Sequence, residues 1–126
     1  MVLQETLLSW MKELVLLKPI KIKSSINNYQ IIFEPEDKIF DFKDDDEYFY
    51  IIDTNVKNIY YKNIFGRNVI NIDANEKNKT FSTVCKLVEK LRSLGANKKS
   101  TLFVIGGGIT QDVCTMVASV FMRGIN

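Results

Sequence analysis

Histidine is missing altogether from this 126-residue chain. That absence removes every Ser-His-Asp and Cys-His arrangement, and with them any zinc site built on imidazole. Cysteine is scarce: Cys85 and Cys114 are the two present. Both fall at apolar positions of expected helices. Each is therefore read as a buried, reduced thiol rather than half of a disulfide, in a reducing, cytoplasmic setting. Two isolated cysteines and scattered carboxylates also make a poor catalytic zinc site. No run of about twenty apolar residues occurs, so no transmembrane helix is expected. The apolar N-terminus contains Glu5, Lys12 and Glu13 and has no basic leader, unlike a signal peptide. Excess charge is missing too: 17 basic and 15 acidic residues leave a formal +2. The lysines are scattered rather than interleaved with aromatics, so neither nucleic acid nor an anionic membrane is expected as a partner.

What is present suits one folded domain with a real core, since 46% of the residues are hydrophobic and 25% charged. Residues 2 to 17 predict a helix with Leu3, Leu7, Trp10 or Met11, Leu14 and Leu17 on its apolar face, ended at Lys18-Pro19. Ile20 to Ser24 alternates isoleucine and lysine, the pattern of a half-exposed strand. Asn27-Asn28 marks a turn and Tyr29 to Phe33 a second strand, giving a hairpin. Pro35-Glu36-Asp37 breaks the pattern, and Ile39, Phe40 and Phe42 follow without a clear period. The acidic run Asp44 to Glu47 reads as a solvated turn.

From Tyr48 the chain alternates regularly. Tyr48 to Ile52 is an apolar strand suited to the centre of a parallel sheet. A helix from Val56 carries Ile59, Tyr60 and Ile64 and stops at Gly66. Asn68 to Ile72 is the next strand. Residues 80 to 94 form a helix striped by Phe81, Val84, Cys85, Val88, Leu91 and Leu94, with Gly95 as its stop. Leu102 to Ile105 is a third strand, and a last helix begins at Ile109 with Val113, Met116, Val117, Val120 and Phe121 on its apolar face. Strand-helix alternation of this kind predicts a Rossmann-like, mostly parallel α/β sheet with helices on both faces. An N-terminal helical extension (1–18) and the hairpin precede it, the domain itself spanning 19–126.

The junction of the last strand and helix is the most specific stretch. Gly106, Gly107 and Gly108 permit positive φ and let a ligand approach without meeting a Cβ. The helix start behind them suits a phosphate or pyrophosphate. Consecutive glycines do not make the G-x-G-x-x-G fingerprint, so a plain tight turn competes with this reading. Asp112 is placed in the first helical turn, where the dipole alone would favour it. Arg123 and Gly124 close the helix, and a helix end favours both. Asp53, at the carboxyl end of its strand, is placed where open α/β sheets take ligands. Asp, Thr and Asn are also good helix caps.

The combination of G-G-G-x-x-x-D, a helix, and R-G eleven residues after the aspartate resembles the dehydroquinate synthase family, and more broadly the sugar phosphate cyclases. A strand ending D-x-N-V, here Asp53 to Val56, is similar to that family's cofactor-contacting segment. Glu76, Lys79 and Thr80 match its glutamate, lysine and small hydroxyl residue, although its proline-glycine is Ala74-Asn75 here. The iron-dependent alcohol and glycerol dehydrogenases share the glycines and the aspartate but not the R-G ending.

The resemblance implies a bound nicotinamide dinucleotide (NAD) acting as transient oxidant during phosphate elimination and ring closure. It assigns Asp53, Asn55, Glu76, Lys79, Gly106, Gly107, Gly108, Ile109 and Asp112 to the cofactor. Arg123 goes to the phosphate of a sugar phosphate substrate, reached across a homodimer. In the family, zinc or another divalent metal is held by a glutamate and histidines of a second, helical domain. The expectation is therefore that this chain corresponds to the first half only, binds no metal, has no catalytic residue of its own and does not turn over alone. The cofactor domain of an iron-dependent alcohol or glycerol dehydrogenase-like enzyme and a non-enzymatic nucleotide-binding module remain the other readings of the same glycines.

Overall fold

The computed structural model describes residues 18–25, 28–33, 45–60 and 66–123, the side chain of Arg123 excepted. The expected N-terminal helix, the stretch around Ile39 to Phe42, Ile64 and Gly124 lie outside the described residues. The chain divides into two units, Met1–Asp41 and Phe42–Asn126. In the first, strands β1 (Ile20–Ile22) and β2 (Tyr29–Ile31) pair antiparallel with Ile20 opposite Ile31, as the hairpin pattern predicts.

The second unit is α/β. Its elements run β3 (Tyr48–Asp53), α1 (Thr54–Tyr60), β4 (Val69–Ile72), α2 (Phe81–Ser93), β5 (Thr101–Ile105) and α3 (Gly108–Val120). The sheet order is β4-β3-β5 and both pairings are parallel. β3 is central, and five of its six residues are buried on alternating faces. That is why its sequence is a continuous apolar run rather than an alternation. The β3–β4 and β4–β5 crossovers move in opposite directions across the sheet. Right-handed crossovers then put α1 and α2 on opposite faces.

Helices α2 and α3 pack on each other and on one sheet face. Phe49, Ile51, Ile70 and Ile72 meet Val84, Leu87, Leu91, Val113, Cys114, Val117 and Phe121 there. Each such side chain contributes on the order of 1.5–3 kcal/mol by leaving water. The spacing of α2 misassigned part of its stripe. Leu87 is in the core, whereas Phe81 and Cys85 are exposed. Only the arc through 84, 87 and 91 can face the sheet at 3.6 residues per turn, and 81 and 85 flank it. On α3 the core takes Thr110, Val113, Cys114 and Val117, while Met116 and Val120 point outward. Cys114 is buried as expected, and burial pushes its thiol up to about 12.

On the other face Tyr50 stacks on its cross-strand neighbour Phe103 at 5.1 Å, and Tyr48 meets the same ring edge-on at 5.5 Å. At the amino edge Asn68 donates from Nδ2 to the carbonyls of Asp45 and Tyr48, each at 3.2 Å, tying the acidic turn to both strand starts.

Helix α2 is bounded by side-chain and backbone caps. Thr80 Oγ1 accepts from the Thr83 amide at 3.2 Å. At the other end the Ala96 amide donates to Leu91 O and the Gly95 amide to Arg92 O, both at 3.0 Å. This is the paired bonding of a Schellman stop, and Gly95 holds φ 92° to make it. Gly95→Ala is expected to destabilise the chain by about 1 kcal/mol, the penalty for a Cβ in the left-handed region. Urea unfolding followed by circular dichroism measures it.

Candidate functional site

A parallel sheet sends its carboxyl ends to one edge, and that edge gathers most of the residues singled out above. Asp53 ends β3, Glu76 to Lys79 lie in the loop after β4, and Gly106 to Gly108 follow β5. The turns are tied together there. The Thr54 hydroxyl lies 3.2 Å from Ile72 O and 2.9 Å from Asp73 Oδ1. Asn78 donates from Nδ2 to Asp73 O at 2.8 Å. Asn75 caps the short 3₁₀ turn Glu76–Asn78 by accepting from the Asn78 amide at 3.2 Å.

Asp53 is 8% exposed, and its Oδ1 accepts from the Asn55 amide at 2.8 Å. The capping role is thus formed, in an Asx turn that opens α1. Asn55 itself is exposed.

The glycine turn works differently from the sequence expectation. None of Gly106, Gly107 and Gly108 has positive φ; among the described glycines only Gly95 does. Gly107, the N-cap of α3, is extended at φ −82° and ψ −167°. The requirement at Gly106 is steric. A Cβ there would lie 2.5 Å from Thr110 Oγ1 and 2.7 Å from Thr110 Cβ, and Thr110 is fully buried. At Gly107 and Gly108 a Cβ would meet nothing within 4 Å. Gly106 therefore lets the strand end and the helix start close on each other, and outside Gly107 and Gly108, both exposed, the space is open. Gly107 offers no side-chain cap, and the first amides of α3 have no acceptor within the helix. The first amide seen to bond backward is that of Gln111, to Gly107 O at 3.0 Å.

Asp112 is one residue further into the helix than expected, because the helix starts at Gly108 rather than Ile109, and no acidic residue falls in its first turn. A dipole role is correspondingly weak, since that effect fades beyond the first turn. Instead its Oδ2 pairs with Lys79 Nζ at 2.7 Å. Hydrogen bonding to Asp112, its charge, and the charge of Glu76 hold the Lys79 ammonium above its ordinary value of 10.5. The side chains are 43% and 59% exposed, so solvent screens most of the pair's energy. Its consequence is geometric: the entry to α2 is linked to the second turn of α3.

Arg123 is not brought to this edge. Helix α3 ends at Val120 rather than at Arg123-Gly124, and Phe121–Arg123 form a separate 3₁₀ turn with Met122 at φ 46°. Thirteen helical residues put about 20 Å between the glycine turn and the far end of α3, at ~1.5 Å per residue.

Two features escaped the sequence reading. Thr110 looks like an unremarkable helix residue, yet its Oγ1 is buried and has no partner among the described residues. The Lys79–Asp112 pair joins residues 33 positions apart, and only the parallel topology could reveal it. The signal for Thr110 was the glycine four residues earlier, since i and i−4 stack on one helix face. Among the described residues no three His, Cys, Asp or Glu side chains come together, so these residues do not fit a metal. No helix among them is long and apolar enough to cross a membrane.

Residues 69–126 match the family model described as 3-dehydroquinate synthase N-terminal. Over these residues the chain is similar to the N-terminal part of the sugar phosphate cyclases. It is 40% identical over 57 residues to the 3-dehydroquinate synthase of Dictyoglomus thermophilum, a match over 45% of this chain and 16% of that protein. It is 30% identical over 112 residues to the Clostridium tetani 3-dehydroquinate synthase, covering 79% of this chain and 30% of the relative. To the 2-deoxy-scyllo-inosose synthase of Niallia circulans it is 33% identical over 87 residues, 64% of this chain and 24% of that one. A crystal structure of 2-deoxy-scyllo-inosose synthase superposes with a TM-score of 0.63 at 25% identity, over 86% of this chain and 34% of that one. The chain thus spans less than a third of the length of each of these three curated relatives.

The glycine turn makes a direct prediction. Gly106→Ala is expected to lose about 1–3 kcal/mol, as overpacking of a closed contact does. Gly108→Ala should stay within about 0.5 kcal/mol of the parent, since alanine is the better helix former. Equal losses in a denaturant titration would show that the close approach to Thr110 is not what Gly106 provides.

Proposed function

We propose that residues 19–126 form the dinucleotide-binding domain of a 3-dehydroquinate synthase-like sugar phosphate cyclase. The observation that carries this reading is the open space outside Gly107 and Gly108, over a start of α3 that no side chain caps. A side chain at either position would project into that open space, and a diphosphate needs it empty. The amides of Gly108 and Ile109 would donate to the diphosphate oxygens. Asp53, Asn55, Glu76, Lys79 and Asp112 supply carboxylate, amide and ammonium groups for the hydroxyls and base edge of the same ligand. When bound, a nicotinamide dinucleotide supplies a transient hydride acceptor. This chain's residues would bind and orient it.

The neighbouring fold supports the assignment. A 2-deoxy-scyllo-inosose synthase that matches at a TM-score of 0.63 and 24% identity is described in complex with carbaglucose-6-phosphate, NAD+ and Co2+. The position of Arg123, a helix length from the glycine turn, supports a separate role at the phosphate of a sugar phosphate, reached across a homodimer. The metal would be held outside the described residues. Phosphate-eliminating ring formation then belongs to an assembly that includes such a metal site, and this chain alone is expected not to turn over.

Calorimetric titration with oxidised nicotinamide dinucleotide tests the reading. Binding in the micromolar to millimolar range is expected, with at least a tenfold loss in Asp112→Ala and an unchanged circular dichroism spectrum. An intact fold that gives no heat and no thermal shift with the dinucleotide would leave the glycine turn a purely structural device.

A further inference from the structure

Strand β4 closes one side of the sheet, and its outer edge has no strand beside it among the described residues. One bond fixes the phase of its main chain. The Tyr50 amide donates to Asn68 O at 2.9 Å, and Tyr50 lies opposite Val69. Alternate residues of a strand turn their amides and carbonyls to opposite sides. Asn68, Ile70 and Ile72 therefore bond toward β3, and Val69 and Asn71 face outward. The Val69 amide reaches Gly66 O at 3.3 Å, whereas the main chain of Asn71 has no partner on that side among the described residues.

A groove of about 250 Å³ runs along this edge between β4 and α2. Buried Ile70, Ile72 and Leu87 line its base, and exposed Lys86 and Lys90 stand on its α2 side. Neither lysine has an ion pair or a hydrogen bond among the described residues. They lie one turn apart on one helix face, where like charges repel. On the opposite face of β4, Lys57 Nζ is 3.3 Å from Asn71 Oδ1. Asp73 also lines the groove, but its Oδ1 already accepts from the Thr54 hydroxyl at 2.9 Å.

We propose that this edge takes an extended acidic segment of a partner polypeptide, added as a further strand beside β4. The spacing selects its sequence. Lys86 and Lys90 are about 6 Å apart along α2, and side chains on one face of a strand are ~6.7 Å apart. Acidic residues at i and i+2 thus meet one lysine each, while the residue between them turns to Asn71 and Lys57. Bonds to the Asn71 amide and carbonyl set the register. Lysines beside an edge repel strands of other composition, so the same side chains that attract an acid-x-acid segment turn a basic one away. The opposite edge has no such selection, because Thr101–Ile105 carry no charge. This surface does not depend on the dinucleotide reading.

The test uses the full chain, labelled with nitrogen-15 and titrated with the blocked peptide Val-Thr-Glu-Thr-Glu-Thr-Val. Saturable movement of the Asn71 amide resonance is expected, with affinity that falls as salt rises. The double variant Lys86→Gln, Lys90→Gln should bind at least tenfold more weakly. Both lysines are exposed, so its circular dichroism, melting temperature and dinucleotide affinity should match the parent. N-methylation of the three central peptide residues keeps the charge and removes the main-chain donors, and should also cost at least tenfold. Equal binding by the N-methylated peptide, or by the same peptide with lysine in place of glutamate, would overturn strand addition. So would an Asn71 amide that stays unmoved at millimolar peptide. A single-stranded oligonucleotide of matched charge that binds as tightly at the same resonances would make the groove a general polyanion surface and overturn the proposal. Self-association in sedimentation that is lost in the double variant and untouched by the peptide would assign the edge to a second copy, and would overturn it too.

Discussion

The fold depends on β3 being paired in parallel on both sides. Tyr50 sits opposite Val69 on one flank and Phe103 on the other, and the register continues to Asp53 against Ile72 and Ile52 against Ile105. Parallel pairing obliges each strand to return through a helix, and it brings the three carboxyl ends to one edge. The dinucleotide reading follows from that edge. Residues far apart in the chain, such as Asp53, Lys79 and Gly106, come to the same edge of the sheet because the strands they follow are parallel and in register.

The second constraint is the contact of Gly106 with Thr110. A buried threonine directly under the turn allows the helix to begin almost where the strand stops. The amides at the start of α3 are thereby presented at the sheet edge rather than at the end of a longer loop. Its neighbours Gly107 and Gly108 are not constrained from below. Their lack of side chains leaves space on the outside, as the proposed diphosphate would require.

Much of this was legible in the residues. The continuous apolar run of β3, the hairpin alternation and the glycine stop of α2 each have one dominant physical cause, and each lies where its pattern placed it. Failures came where two causes overlap. Phe81 and Cys85 have core spacing but fall beside the arc that α2 turns to the sheet. The glycines looked like candidates for positive φ, yet none of the three has it, and close packing against Thr110 is the constraint at Gly106. Asp112 looked like a helix-start residue until the helix began at Gly108, which moved it beyond the dipole and into a pair with Lys79. Arg123 was read as the end of α3, yet the chain turns at Phe121 and Met122. Pairings across the sheet edge could not be read from spacing at all, because they depend on which strands are neighbours.

The central claim is that main-chain donors at the start of α3 hold the diphosphate of a dinucleotide. Amide NMR of the labelled chain tests it most directly. On addition of oxidised nicotinamide dinucleotide, the amide resonances of Gly107, Gly108 and Ile109 should move further than any others, and inorganic pyrophosphate should move the same three. Saturable shifts elsewhere in the chain, with those three amides unmoved, would contradict the account.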